Sequence, residues 1–437
     1  MSTGPLPGFR DFYPEQFAER AFIQSTWRAV AQRYGFVEYD GPPLEPTELY
    51  TRKSGDEIVG QLYNFTDKGD RAVALRPEMT PTLARMVGAR ANALPKPVRW
   101  FAVPQLFRYE RAQRGRLREH FQLNVDIVGE ADVRADAELV ACAVDMLRAF
   151  GLTQDDIIVR FSDRRLLNAL LASLGVADTA LPAVYAVFDK IGRSTDEDAR
   201  ARLATAGLGA PLADSLVELA RHGTLAGTRV EALGSRLDVA EIDRLVQYQQ
   251  AVGALLGDAA DRWLALDLSI VRGLAYYTGI VFEIFDRRGE LRAICGGGRY
   301  DGLLAAVGGV DLPALGFGMG DVVLTELLRA RGIPIGTPAA LDYWVAGEEG
   351  TARDIASVAG ALRRRGRRVE YALRVQSLGN QVKAAARARA RYVAIVRPDA
   401  APDARLVVRT LADGTERTMS IEQLVDADGV FDADAPT

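Results

Sequence analysis

The chain has 437 residues, 48% of them hydrophobic and 26% charged, with a formal net charge of -4; that length exceeds what one core usually organises, predicts two or three domains and excludes a lone binding module. No run approaches the roughly 20 apolar residues that a membrane helix needs, and the opening MSTGPLPGFRDFYPE has no basic segment followed by an apolar one, so the expected location is cytoplasmic. The two cysteines, Cys142 and Cys295, are far apart with neither in a C-x-x-C pair, which argues against a disulfide framework and a cysteine-based zinc site, and the two histidines, His120 in an arginine-rich segment and His222 in a helical stretch, give poor support to a histidine-held metal or a Ser-His-Asp arrangement; the slight acidity leaves nucleic-acid contact to local basic patches.

From Glu15 to Tyr34, apolar residues at mixed three- and four-residue spacing, stopped by Gly35, predict an amphipathic helix, and FVEYD before Gly41, Pro42 and Pro43 predicts a short strand. LRPEMT, residues 75–80, reads as extended, with Arg76, Glu78 and Thr80 at alternate positions facing one side. Glu78 is then placed to hold an ammonium group, and an exposed strand edge is the competing reading. RWFAVPQLFRYE and HFQLNVDIVG are strand-like runs joined by a polar loop, which predicts a long hairpin with a basic tip. Arg108 and Glu110 share one strand face, Arg111, Arg114, Arg116 and Arg118 sit in the loop, and Gln122, Asn124 and Asp126 alternate on the return strand. A forked, planar guanidinium suits a phosphate; a solvated charged loop is the bland alternative.

Residues from about Asn168 to Asp261 are Ala/Leu-rich with helical periodicity and read as a helical insertion. Strands return with LALDLSIV, YYTGIVFEIFD and LRAICGG. Between the first two stands Arg272, followed by Gly273, Tyr276 and Tyr277; a lone arginine there implies a ligand anion or a buried salt bridge to Glu283 or Asp267. In CGGGRYDGL, residues 295–303, the glycines permit close backbone approach while Arg299, Tyr300 and Asp301 supply polar groups. GFGMG does not fit a dinucleotide fingerprint and no Walker loop occurs. A helix is expected from about Asp321 to Arg331. Beyond the spacer GIPIGTPAA, alternating strand and helix patterns predict a separate α/β domain with a mostly parallel sheet, followed from Asp426 by an acidic tail expected to be disordered.

Taken in this order, the segments resemble histidyl-tRNA synthetases along essentially the whole chain. FRYERAQRGRLRE resembles the family's motif 2, and IVRGLAYYTG and GGGRYDGL resemble its two histidine-specific signatures. The N-terminal helix, strand and Pro42 resemble motif 1, the dimer-interface element, and GFGMG takes the place of motif 3. LGNQVKAAARARARYVAIV lies in a unit similar to the anticodon-binding domain. The resemblance implies an α+β fold: a class II catalytic domain with an antiparallel sheet flanked by helices in residues 1–165 and 263–333, a helical insertion in 166–262, an α/β anticodon-binding domain in 340–425 and a tail in 426–437.

It further implies a homodimeric ATP-dependent ligase that joins L-histidine to histidine tRNA, with ATP as substrate and Mg²⁺ bound mainly through the ATP phosphates. Carried over by position, Glu78, Thr80 and Gln122 take the histidine α-amino group beside Met79. Asp126 and Tyr277 read the imidazole nitrogens, and Tyr276 and Tyr300 line the pocket. Arg108 and Arg272 are the catalytic arginines, touching both histidine and the α-phosphate. Glu110 and Arg116 complete the ATP site. Arg111, Gln113 and Arg118 meet the tRNA acceptor end. The chain departs from the family pattern at Val322 and Val323, where Glu-Arg is usual, at Met79 in place of glycine, and at Ala275 in place of aspartate. Two other readings remain. One is a catalytically silent paralogue such as the regulatory subunit of ATP phosphoribosyltransferase, which typically lacks the anticodon-binding domain and the basic tip. The other is a tRNA-binding or amino-acid-sensing protein with a degenerate site.

Overall fold

The computed structural model describes residues 3–54, 60–109, 115–222, 239–257, 259–271 and 277–426. Two compact units divide the chain, Met1–Gly336 and Thr337–Thr437. The first opens with helix α1 (Pro14–Arg33), which ends where Gly35 takes a positive φ of 74°. Strands β1 (Val37–Glu38), β5 (Val98–Ala102), β7 (Glu119–Val128), β8 (Ile157–Asp163), β9 (Leu264–Leu266), β10 (Ile280–Asp286), β11 (Cys295–Arg299) and β12 (Ala314–Gly320) form the main sheet, in the order β1-β5-β7-β12-β11-β10-β8-β9. Its interior pairings are antiparallel and its two edge pairings, β1 with β5 and β8 with β9, are parallel.

Alternation along β7 divides the two faces of this sheet. Leu123, Val125 and Ile127 pack into the main core, and Gln122, Asn124 and Asp126 point the other way. Helix α4 (Val133–Arg148) covers the apolar face, capped by the Asp132 carboxylate, which accepts from the Arg134 N–H. Its unburied side chains, Arg134, Glu138, Asp145 and Arg148, fall on one narrow stripe at helical spacing. The helices from Arg164 to Leu256 share this core through residues such as Leu166, Phe188, Leu216 and Tyr248.

Local structure departs from expectation at two places. The run 99–110 is not one strand: Val103 and Pro104 separate β5 from β6 (Gln105–Phe107), because proline cannot donate to a ladder. LRPEMT is not a continuous extended segment. Strand β4 (Ala72–Leu75) pairs with β2 (Leu44–Pro46) and β3 (Tyr63–Thr66) and stops before Arg76, and helix α3 (Thr80–Ala89) starts at Thr80. Arg76 turns inward instead, donating to Asp40 at 2.7 Å and to the carbonyls of Gly41 and Gln105 at 2.7 and 3.1 Å. The second unit's sheet has the expected parallel core and is mixed as a whole: β13 (Tyr343–Gly347) pairs in parallel with β14 (Val369–Tyr371) and β15 (Tyr392–Val396), while β16 (Leu406–Thr410) and β17 (Glu416–Met419) add antiparallel ribbons. Helix Ala352–Arg364 packs on one face of it and helix Leu378–Arg387 on the other.

Candidate active site

The polar face of the main sheet is floored with glycine. Gly316 lies opposite Asp126 and Gly318 opposite Asn124, while across the next ladder Gly298 faces Gly316 and Gly296 faces Gly318. A Cβ on Gly316 would collide with the Asp126 carboxylate, and one on Gly318 would stand 2.7 Å from the Gln122 amide nitrogen. The β7 side chains therefore lie across β12, over a floor that side chains would fill at any other residue type.

Asp126 is buried at 4% exposure and accepts a hydrogen bond from the Tyr300 hydroxyl. Tyr300 and Tyr277, both buried, belong to one cluster with Val281, Leu303 and the partly buried Tyr39 and Trp100. Asp126, Tyr277 and Tyr300 thus lie together, with Gln122 on the same face of β7, four residues along the strand. Arg108 reaches it from the hairpin: its main-chain N–H donates to Arg118 at 2.9 Å and its Nε to the Pro77 carbonyl at 3.0 Å. That second bond joins the hairpin to the Glu78–Thr80 segment, with Thr80 opening α3. The Met79 side chain is fully buried, its sulfur 3.8 Å from the Arg76 guanidinium. Glu110, Arg111, Gln113, Arg272 and Tyr276 lie outside the described residues. As for the salt bridge that competes for Arg272, Asp267 already pairs with Arg160 at 3.6 Å and accepts from Ser269 Oγ at 2.6 Å.

His120 begins the same strand stretch, and burial, followed by the charges of Arg108, Arg10 and Arg116, pushes its pKa down to about 3. The imidazole is neutral at physiological pH. Arg118 places its guanidinium 4.6 Å from the Tyr109 ring centroid, and its N–H bonds to Gly8.

Of the polar groups in the glycine-rich turn, Arg299 and Asp301 bond within the protein. Arg299 pairs with Asp136 at 2.5 Å and donates to the Glu130 and Asp132 carbonyls. Asp301 accepts from Thr278 and from the Ala314 N–H. Alternation explains it: if Gly296 and Gly298 face the polar side, Arg299 faces the helix side. Sequence reading also missed a buried network in which Arg10 donates to Glu119 at 2.6 Å and to Asp321 at 2.9 Å, and Asp321 accepts from the Phe121 N–H at 3.0 Å. The acid at the first position of helix α10 (Asp321–Ala330) was a readable signal; Arg10, in an aperiodic segment, gave none. Val323, two residues on, is buried, with a methyl carbon in van der Waals reach of the Gly115 position at the hairpin tip.

A profile of histidyl-tRNA synthetases matches residues 8–321, and one of the anticodon-binding domain matches residues 332–427. The chain belongs to the histidyl-tRNA synthetase family. It is 44% identical to the histidine–tRNA ligase of Opitutus terrae, over 96% of each chain. It is 38% identical to the chloroplastic/mitochondrial histidine–tRNA ligase of Arabidopsis thaliana, over 97% of this chain and 86% of that one. A crystal structure of histidyl-tRNA synthetase from Nostoc sp. PCC 7120 shares the fold, with a TM-score of 0.80 at 22% identity over 98% of both chains. Membership gives a class II fold, and both family parts, synthetase core and anticodon-binding domain, are present in one chain. No helix among the described residues is long and apolar enough to cross a membrane.

Proposed function

We propose that the family reaction, ATP-dependent ligation of histidine to its tRNA, runs on the glycine-floored face. The observation that carries this reading is the convergence of Asp126, Tyr277 and Tyr300 on one patch of the sheet, with Gln122 on the same face of β7 and Arg108 bonded to the segment bearing Glu78 and Thr80. Glu78, Thr80 and Gln122 receive the α-ammonium group. Asp126 and Tyr277 read the ring nitrogens, with Tyr300 fixing the Asp126 carboxylate and Tyr276 beside it.

The substrate carboxylate attacks the ATP α-phosphorus, the bond to the pyrophosphate oxygen breaks, and Arg108 and Arg272 meet the charge that gathers on the equatorial oxygens. Arg116 and Glu110 serve the rest of the nucleotide, which arrives as MgATP. In the second step the terminal ribose hydroxyl of tRNA attacks the histidyl carbonyl and AMP leaves. Arg111, Gln113 and Arg118 hold the acceptor end, through phosphates for the arginines and a base edge for the glutamine. Two basic segments of the second unit, Arg363–Arg368 and Lys383–Arg391, carry the anticodon stem. The working form is a cytoplasmic homodimer. A silent paralogue is disfavoured because full-length similarity to ligases spans both parts of the chain. Charging of histidine tRNA with labelled histidine in the presence of ATP tests the proposal; absence of charging by folded protein would refute it.

A further inference from the structure

Tyr39 stands just after β1, its N–H donating to Phe101 on β5 at 2.9 Å. Its ring leans on Trp100 with centroids 5.3 Å apart, and Trp100 is the β5 residue directly opposite Asp126. Although part of the residue reaches solvent, the hydroxyl is its inner end, buried and without a hydrogen-bond partner among the described residues. Burial, followed by the charges of Asp126 and Asp40, pushes the phenol well above its ordinary pKa, so it stays protonated as a donor. Trp27, Tyr248 and Trp263 also hold unpaired polar atoms, but within the apolar core. Tyr39 instead shares its cluster with Tyr277 and Tyr300, within electrostatic reach of a buried carboxylate. A buried hydroxyl left unpaired is costly and calls for a reason.

We propose that Tyr39 is a further specificity-determining residue of the amino-acid pocket, its hydroxyl held unpaired for the polar edge of the substrate's ring at the Asp126 end. The inference rests on the reading of Asp126 as the ring-binding group. A ring with nitrogen atoms on its edge pairs the Tyr39 hydroxyl; an apolar ring of the same size leaves that hydroxyl unpaired, and discrimination by an unpaired group exceeds what shape alone gives.

The test compares the full-length native chain with Tyr39→Phe by calorimetric binding of histidine and of 3-(2-thienyl)alanine, a five-membered ring without nitrogen, and by thermal melting without ligand. Removing an orphan hydroxyl should leave the unliganded melting temperature unchanged or higher. Histidine binding should weaken about tenfold while thienylalanine binding stays level. Histidine affinity within twofold of native in the folded variant would overturn the proposal, and so would equal losses for both ligands, which would mark a packing effect. A native chain that failed to bind histidine would instead bring down the underlying assignment of Asp126, and Tyr39 with it.

Discussion

Arg108 Nε donates to the Pro77 carbonyl at 3.0 Å, so the arginine proposed to meet the substrate also ties the hairpin to the segment that bears Glu78 and Thr80. One edge of the guanidinium is used structurally and the terminal nitrogens remain for a phosphate. Arg108→Ala should lower the rate of adenylate formation about 100- to 1000-fold, the usual cost of losing one transition-state donor. Arg108→Lys should recover little of it, because an ammonium cannot hold Pro77 and fork to a phosphate together. Pre-steady-state adenylate formation, with circular dichroism to confirm folding, measures both.

The glycine floor sets a second expectation. Gly316→Ala places a methyl group against Asp126, which Tyr300 holds in place, whereas Gly318→Ala meets the more adaptable end of Gln122. Histidine affinity should fall by more than about tenfold in the first and by less in the second, since overpacking costs about 1–3 kcal/mol where neighbours cannot yield. Equilibrium binding of histidine to the two variants decides the order.

Much of this site was legible because it obeys simple alternation. Gln122, Asn124 and Asp126 at every second position of a strand whose intervening residues are Leu123, Val125 and Ile127 can face only one way. The hairpin was legible for the same reason. Arg299 turns to the helix side by the same rule, but glycines on both faces of β11 conceal in the sequence which side is polar. Helix Val133–Arg148 carries a readable polar stripe, Arg134, Glu138, Asp145 and Arg148, that the sequence reading passed over, whereas the Arg10 network joins residues 109 and 311 positions apart, beyond any local pattern.

That network yields a stability prediction. Glu119 and Asp321 are buried at 1% and 3% exposure, and Arg10 is their shared cation. Arg10→Ala strands two carboxylates and should destabilise the first unit by about 3 kcal/mol, the scale for breaking a buried pair by removing one partner. Urea denaturation followed by tryptophan fluorescence provides the number.

His120 predicts a particular acid sensitivity. Its folded pKa of about 3 lies below the ordinary 6.5, so the folded chain binds fewer protons than the unfolded chain between those values. The contribution is complete above pH 6.5 and is lost as pH falls toward 3. By pH 5 the native chain should have lost about 2 kcal/mol through this residue relative to pH 7.5. His120→Gln should be spared that part of the loss. Denaturation curves for both chains at the two pH values test the difference.

The most direct test of the whole account is ATP–pyrophosphate exchange by the purified full-length chain, run with histidine and with each other amino acid separately. The account predicts exchange that requires histidine and is nearly abolished by Asp126→Ala in a folded variant. Exchange supported equally by another amino acid, or none with histidine, would contradict it.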